Sequence, residues 1–268
     1  MSCGVPFLLL YSLLHYLTGF HGVWSTTQAE HQAQLLEHIF SNYTSYVRPV
    51  CDQDQPIQVK IDIAIRQIIE LDEPKQILYL NAWVRLSWDD CHMTWDPNNF
   101  GNISNIVVPF QRVWSPDITL YDNGDSELEG SKDYLIDIEH TGILIYHYPT
   151  IIKVLCRIDV VYFPFDTQVC PLKFGSWSYH GFEINVTNRD SAGDMTSFVE
   201  NTEWDLLSLP LARHELKYGC CPEPYPDVTF YVTMKRKPLF YVLNLLFPCL
   251  LITAVALLGK HLFQSLYQ

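Results

Sequence analysis

Two adjacent cysteines are the clearest candidates for specialised chemistry, because they lie between two tyrosines. The run reads Tyr218-Gly219-Cys220-Cys221-Pro222-Glu223-Pro224-Tyr225. Neighbouring Cα atoms are about 3.8 Å apart, whereas an ordinary disulfide needs roughly 4.4–6.8 Å, so a bond between Cys220 and Cys221 would make a stiff, strained loop tip. Such a flap would carry two aromatic rings to one ligand. The alternatives are two free thiols, or two cysteines that pair elsewhere.

A second pair of cysteines, Cys156 and Cys170, encloses thirteen residues with an apolar tip, Phe163-Pro164-Phe165. A disulfide that closes a loop of this length stabilises a fold by roughly 3 kcal/mol in the chain-entropy model. An exposed apolar tip indicates a docking surface, and the alternative is a purely structural staple. The number of cysteines also allows a disulfide between Cys51 and Cys91, but the sequence does not establish this pairing.

Charge and motif content argue against several classes of function. The chain has 30 acidic and 17 basic residues, for a net charge of −13. This balance disfavours a nucleic-acid partner, which needs a basic face, and it suits a cationic ligand. A solvated acidic surface is the alternative. The ten histidines form no His-Glu-x-x-His pair, and there is no Gly-x-Ser-x-Gly motif, so no enzyme, cofactor or metal site is predicted.

The N-terminus and three glycosylation motifs indicate an extracellular domain. Residues 1–24 are interpreted as a signal peptide, because a short apolar core is followed by small residues. Six of the eight cysteines lie outside this leader and outside the apolar run near the C-terminus, as an oxidised domain requires. The predicted N-glycosylation sites, which fit a secretory route, are Asn42, Asn102 and Asn185.

The elements that must position these residues are predicted to be β-strands after one short helix. The helix is expected from Gln28 to Phe40, and residues 57–66 then alternate apolar and polar side chains, which is typical of a half-buried strand. Residues 78–88 alternate in the same way and place Trp83 on the face opposite the apolar set. That ring would be covered by a neighbouring loop, or would face a partner subunit or a ligand. Further short strands separated by turns predict one β-sandwich domain over residues 25–237.

An apolar run follows this domain and predicts a transmembrane helix over residues 238–259. Leu239 to Gly259 contains 21 residues without a charge, which is long enough to cross a bilayer. The basic residues just before it favour a cytoplasmic position, but the leader commits the N-terminal domain to the outside. Residues 260–268 are expected to form a short divergent tail with no second span.

At this point the motifs together resemble a known family, the Cys-loop or pentameric ligand-gated ion channel receptors. The segment from Cys156 to Cys170 resembles the signature loop of that family. Three further segments resemble the agonist-binding segments of a nicotinic acetylcholine receptor alpha-type subunit, and the paired cysteines mark the alpha type. These segments are Trp114-Ser115-Pro116-Asp117 with Tyr121, Gly175-Ser176-Trp177-Ser178-Tyr179, and the double-cysteine run. The resemblance covers about residues 30–258.

The resemblance implies a role for each matching residue. Tyr121, Trp177, Tyr218 and Tyr225 match the aromatic box on the principal face, and Trp83 matches the tryptophan on the complementary face of a neighbouring subunit. A quaternary ammonium donates no hydrogen bond and is held by the negative faces of such rings. The adjacent cysteines match the vicinal disulfide, while a further set matches structural positions. That structural set is Trp88, Trp114 and Asp117.

The resemblance also implies a fold and a function for the whole chain. The expected fold is all-β: an immunoglobulin-like β-sandwich extracellular ligand-binding domain with a short N-terminal helix, followed by one transmembrane α-helix. The expected function is an acetylcholine-binding subunit of a homo- or hetero-pentameric ligand-gated cation channel in the plasma membrane, with synapses as an expected location. This chain departs from the family pattern after Leu258, where the pore helix is missing. The alternative is a membrane-tethered acetylcholine-binding module, or one that blocks full-length subunits, with no channel activity.

Overall fold

The computed structural model describes residues 27–53, 55–124, 134–219 and 221–266. The predicted signal peptide, Cys220 and residues 125–133, which include Asp125, Glu127 and Glu129, lie outside the described residues. In chain order the strands are β1 (Ile57–Asp72), β2 (Ile77–Thr94), β3 (Asn105–Pro109), β4 (Ile118–Leu120), β5 (Leu135–Glu139), β6 (Thr141–Leu155), β7 (Thr167–Ser176), β8 (Ile184–Asn188), β9 (Trp204–Ser208), β10 (Leu211–Leu216) and β11 (Tyr225–Arg236).

These strands form two sheets, as the all-β sandwich prediction required. One sheet has the hydrogen-bonded order β3-β5-β6-β2-β1-β8. The other has the order β10-β11-β7-β4, with β9 also paired to β11. The chain divides into two compact units. The first comprises Met1–Ile57, Ser87–Ser115 and Asp133–Tyr146, and the second comprises Gln58–Leu86, Pro116–Lys132 and His147–Gln268.

The first unit contains the predicted N-terminal helix, α1, which covers residues 27–40. Leu35 and Ile39 are buried, and their spacing of four residues places both on one face of the helix. The residues after α1 are fastened by Tyr43, whose hydroxyl donates to Asp90 Oδ2 at 2.8 Å and accepts from the Trp114 N–H at 2.9 Å. Burial is the main reason that the pKa of the Asp90 carboxyl is raised.

A disulfide between Cys51 and Cys91 also belongs to the first unit. It ties the loop after α1 to the end of β2 and resolves a pairing that the sequence left open. Both cysteines are exposed. The bond closes a large loop, with 40 residues of sequence separation.

The core of the second unit follows the period-two patterns of the sequence. The apolar residues of β1 at 59, 61, 63 and 65 are buried, and so are the even-numbered residues of β2 from Leu78 to Leu86. Ile57 and Trp88, which belong to the first unit, are buried as well. In β11, Val228, Phe230 and the alternate residues beyond them are fully buried, as predicted. Antiparallel pairing with β7, in the register Phe230 opposite Leu172, satisfies the backbone hydrogen bonds of this buried strand.

After β11 the chain becomes helical. Helix α2 (Leu239–Tyr241), a π-helical turn (Val242–Leu246) and helix α3 (Phe247–Leu266) follow one another. The π-helical turn precedes Pro248, which has no N–H to donate to the carbonyl of Asn244. Within the described part of the chain, Leu239–Lys260 is long and apolar enough to cross a membrane, with a mean hydropathy of 2.3 and no buried residue.

Removing the Cys51–Cys91 bridge is expected to destabilise the protein. In the double variant Cys51→Ser/Cys91→Ser, the unfolded chain regains the entropy of a loop of about 40 residues, and we expect a loss of roughly 2–4 kcal/mol in the free energy of unfolding. Chemical denaturation measures this loss. The matched control is Cys249→Ser, which removes a free cysteine. Equal denaturation midpoints for the double variant and wild type would contradict the prediction.

Candidate functional site

Four of the five predicted ring residues lie in two contacting pairs within the second unit. The Tyr121 and Trp177 rings meet edge to face, with centroids 6.2 Å apart. The Tyr218 and Tyr225 rings meet in the same way at 5.8 Å. Trp177 is 73% exposed and Tyr218 is 42% exposed, so ring surface remains open to a ligand.

Strands β4 and β7 fix the position of Tyr121. The Tyr121 N–H donates to the Lys173 carbonyl at 2.9 Å, and the Tyr121 hydroxyl donates to the Ser176 carbonyl at 2.8 Å. The phenol lies directly over Gly175, where an added Cβ would collide with the hydroxyl oxygen. Glycine at this position therefore allows the hydroxyl end of the ring to approach β7 closely.

Asp117 shapes the loop that carries Trp177. Its Oδ2 accepts from the Ser178 N–H at 2.7 Å, and its Oδ1 accepts from the Ser176 hydroxyl. The Ser176 oxygen in turn accepts from the Tyr179 N–H at 2.9 Å. The carboxylate thus holds the Ser176 side chain before Trp177 and the Ser178 backbone after it, which is a structural contact of the kind that the resemblance implied for Asp117.

The flap that carries Tyr218 and Tyr225 is joined to the Trp177 loop. The Gly181 N–H donates to the Pro224 carbonyl at 2.7 Å, and a Cβ on Gly181 would lie 2.9 Å from that oxygen. At the tip, the Cys221 N–H donates to the Tyr218 carbonyl at 3.2 Å. Cys221 is disulfide-bonded. Because Cys220 lies outside the described residues, the vicinal pairing remains a prediction.

The electrostatics around Tyr121 favour a cation. Burial is the main reason that its pKa is raised, and the nearby Tyr218, Asp227 and Asp117 act in the same direction. Asp227 is itself buried, accepts from the Thr229 hydroxyl at 2.9 Å, and lies 3.0 Å from His214 Nδ1. Tyr121 thus remains a neutral phenol, and the carboxylates beside it add to the negative potential of the ring faces.

Trp83 lies apart from these four rings. It is on β2, 40% exposed, on the face opposite the apolar set, where the period-two pattern had placed it. No ring contact joins it to the other four rings in the part of the chain that is described. Its contact is with Arg66 on β1, whose guanidinium carbon is 4.5 Å from the centroid of the indole.

The tip of the Cys156–Cys170 loop, whose predicted disulfide is present, is partly exposed. Phe163 and Phe165 are exposed, whereas Pro164 is buried. The Phe163 ring lies 4.9 Å from the ring of Tyr241, in the apolar helical segment. The tip is therefore not a uniformly exposed apolar surface, because part of it packs within the second unit.

Behind this tip lies a cluster that the sequence reasoning missed. Arg236 is 1% exposed and pairs with Asp166 at 2.9 Å, Glu73 at 2.7 Å and Glu203 at 3.1 Å. Its guanidinium also lies 4.2 Å from the Trp204 ring centroid. Burial opposes ionisation of Asp166, but hydrogen bonds from Arg236 and Gln168 outweigh it and hold the pKa of that carboxyl below its usual value. The sequence offered no sign of this cluster beyond a basic run before the apolar segment.

The predicted glycosylation sites differ in their surroundings. Asn42 and Asn102 are exposed. The Asn185 amide is half-buried, donates to Gln58 Oε1 at 2.8 Å and accepts from Arg213 at 2.6 Å. Asn185 thus has a structural contact network that the other two sites do not share in the described part of the chain.

One group of potential metal ligands stands out among the described residues, formed by Asp90, Cys91 and His92. Cys91 is bonded to Cys51, so it offers no thiolate. Asp90 is engaged by Tyr43 and by the His92 N–H. The group therefore does not constitute a metal centre.

With this geometry established, similarity to known proteins gives the family. The neurotransmitter-gated ion-channel ligand binding domain matches residues 32–238. The chain is 44% identical over 229 residues to neuronal acetylcholine receptor subunit alpha-10 of Homo sapiens, covering 85% of this chain and 51% of the relative. It is 38% identical over 237 residues to the alpha-9 subunit of Rattus norvegicus, covering 88% and 50%. It is also 38% identical over 228 residues to acetylcholine receptor subunit alpha-type acr-16 of Caenorhabditis elegans, covering 85% and 46%.

The chain therefore belongs to the neurotransmitter-gated ion channel family and contains its ligand-binding domain. Its relatives are nicotinic alpha-type subunits, as the motifs predicted. The family consists of membrane-bound receptors with an extracellular ligand-binding domain, and these are not enzymes. The chain spans about half the length of the curated relatives that it matches.

The raised pKa of Tyr121 predicts a specific loss of stability in alkali. The unfolded phenol ionises near pH 10, whereas the folded phenol stays neutral, so its contribution to stability is complete below about pH 10 and is lost as the pH rises. In Tyr121→Phe, the free energy of unfolding should therefore fall less steeply above about pH 10. Denaturation at pH 8 to 11 measures the slope. Tyr46→Phe, at a 93% exposed tyrosine, should retain the wild-type slope. Equal slopes for all three proteins would contradict the prediction.

Proposed function

We propose that this chain binds acetylcholine, or a similar quaternary ammonium, as a subunit of a pentameric ligand-gated cation channel. The observation that carries the proposal is the two contacting ring pairs, Tyr121 with Trp177 and Tyr218 with Tyr225, which leave ring surface exposed near the buried Asp227. A quaternary ammonium offers charge and methyl groups but no donor, so ring faces are the partners that it needs. The acetylcholine receptor relatives support the same ligand.

The number of rings sets the affinity that we expect for the ligand. Each ring contact contributes about 0.5–2 kcal/mol, and more when water is excluded. Four or five rings acting together would then give roughly millimolar to micromolar affinity. The fifth ring in this proposal is Trp83, supplied by the complementary face of a neighbouring subunit. The partners are thus other receptor subunits, identical or related, in the plasma membrane with the ligand-binding domain outside.

Strands β7 and β11 extend from the proposed ligand site to the ionic cluster that precedes the apolar helical segment. Strand β11 begins at Tyr225 in the site and ends at Arg236 in the buried ionic cluster, immediately before the apolar helical segment. Strand β7 ends at Ser176 beside Trp177 and begins next to Asp166 of that cluster. We infer that ligand contacts at one end of β7 and β11 bias the cluster at the other end, because the two strands are paired along their length and one face of each is buried.

The binding part of the proposal predicts a selective effect of one ring. In the full chain, solubilised in detergent, Trp177→Ala should weaken acetylcholine binding by about ten-fold or more, and Trp177→Phe should weaken it less because a smaller ring face remains. Calorimetry measures the affinity. Phe182→Ala, which removes an exposed aromatic ring in the same loop region, is the control and should bind as wild type does. Unchanged affinity in Trp177→Ala would exclude this aromatic site.

The channel part of the proposal needs a separate measurement. If the chain assembles as a channel subunit, cells that co-express it with a full-length receptor subunit that gives no current alone should show an acetylcholine-gated cation current. Saturable binding without current would instead support the membrane-tethered binding module.

A further inference from the structure

We propose that Arg66 determines ligand specificity by covering one face of Trp83 and thereby disfavouring a simple quaternary ammonium ligand there. This inference rests on the proposed function only in that Trp83 is taken as part of the ligand site. The main evidence is the position of the Arg66 guanidinium, whose carbon lies 4.5 Å from the centroid of the Trp83 indole. The ring that should receive a cation from outside is thus already in contact with a cation of this chain.

The two residues share the outer face of neighbouring strands. Arg85, two residues beyond Trp83 on β2, donates to Asp62 on β1 at 3.0 Å, which shows that the even-numbered residues of β1 lie beside this face of β2. Arg66 is four residues beyond Asp62, on the same side of β1. Its backbone is fixed there, because its carbonyl accepts from the Val199 N–H at 2.8 Å.

The charges of the two arginines are compensated differently. Arg85 lies between Asp62 Oδ2 and Asp194 Oδ2, at 3.0 and 2.7 Å, so its charge is balanced by two carboxylates. Side-chain and backbone hydrogen bonds from Thr196, with help from Arg85, lower the pKa of Asp194 to about 2, which keeps that balance at any physiological pH. Arg66 has no carboxylate within salt-bridge distance in the part of the chain that is described. Its guanidinium instead rests on the indole, a weaker partner.

A ligand cation therefore meets an obstacle on either side of the ring. On the covered face it must displace Arg66. On the open face the ligand cation is repelled by the positive charge of Arg66 on the other side of the indole. The attraction of the ring for cations is also already used in part by Arg66. Arg66 weakens the binding of a ligand with a carboxylate next to its ammonium less strongly, because the carboxylate can pair with the guanidinium. Arg66 thus favours zwitterionic over purely cationic ligands at this ring.

The test monitors the environment of Trp83 in the full chain by fluorine NMR. The seven tryptophans are replaced by 5-fluorotryptophan, and the fluorine NMR signal of Trp83 is assigned by its absence in Trp83→Phe. The signal is then followed during titration with tetramethylammonium, and separately with trimethylglycine, which adds a carboxylate to the same ammonium group. Arg66→Gln removes the charge. Arg66→Lys keeps the charge without the planar contact. Lys60→Gln removes a positive charge elsewhere on β1 as the matched control.

We expect the tetramethylammonium concentration for half-saturation to fall by about three- to ten-fold in Arg66→Gln, less in Arg66→Lys, and not at all in Lys60→Gln. In Arg66→Gln the half-saturation concentrations of trimethylglycine and tetramethylammonium should differ less than they do in wild type. Superimposable titrations of Arg66→Gln and wild type would overturn the inference. So would an equal shift in Lys60→Gln, because the effect would then reflect net charge.

Acetylcholine calorimetry on the same samples separates this inference from the proposed function. If acetylcholine fails to bind wild type and Arg66→Gln while the Trp83 titrations still differ, the proposed function fails and the role of Arg66 at the ring stands. If acetylcholine binds in a Trp177-dependent way while the Trp83 titrations coincide, the function stands and the inference fails.

Discussion

The antiparallel pairing of β7 with β11 is the constraint on which the rest of the second unit depends. Its register runs from Asp227 opposite Gly175 to Lys235 opposite Thr167. At one end it sets the glycine beneath Tyr121 against the buried acid that influences the phenol. At the other end it carries Arg236 to the loop that contains Asp166. A slip of one residue would turn every side chain of one strand to the other face, so the aromatic site and the ionic cluster share a single register.

Three arginines of the second unit show how the same side chain takes different roles when its partners differ. Arg236 is buried and surrounded by three acidic groups and aromatic rings, so removing a partner would leave an uncompensated charge in the interior. Arg85 is half-exposed and lies between two carboxylates. Arg66 is half-buried and rests on the ring of Trp83. The decreasing ionic compensation across the three explains why Arg66, and not the others, can respond to a ligand.

Local patterns in the sequence predicted much of this structure. The placement of Trp83 on the outer face of β2 follows from alternation alone, because a strand has a period of two wherever one face is buried. The short helix over 28–40 and the apolar segment after residue 238 were equally readable. The ring residues were found through a resemblance to known motifs. Without it, the exposed Trp177 would have no local signal that distinguishes it from other surface tryptophans.

What the sequence did not contain is information about which strand lies beside which. The Cys51–Cys91 bridge joins positions 40 residues apart, and a count of cysteines cannot choose a pairing. The contact of Arg66 with Trp83 depends on the register of β1 with β2. The ionic cluster of Arg236 assembles acids from Glu73 to Glu203. Such contacts depend on sheet topology, which a local hydrophobic pattern does not specify.

The exposure of the site has a physical consequence for how it must work. Trp177 is 73% exposed and Trp83 is 40% exposed in the single chain. A ring in contact with water attracts a cation weakly, because the cation gives up hydration that the ring replaces only in part, and the attraction grows when the ring is dry. Each surface therefore supplies only part of what an ammonium ligand needs, because its rings remain in contact with water and Arg66 covers one face of Trp83. A surface that covers Trp177 with a second set of rings would supply the missing desolvation. The outer face of β2, which presents Trp83, is a surface of that kind on the same chain. The proposed assembly of subunits would in this way complete the ligand site.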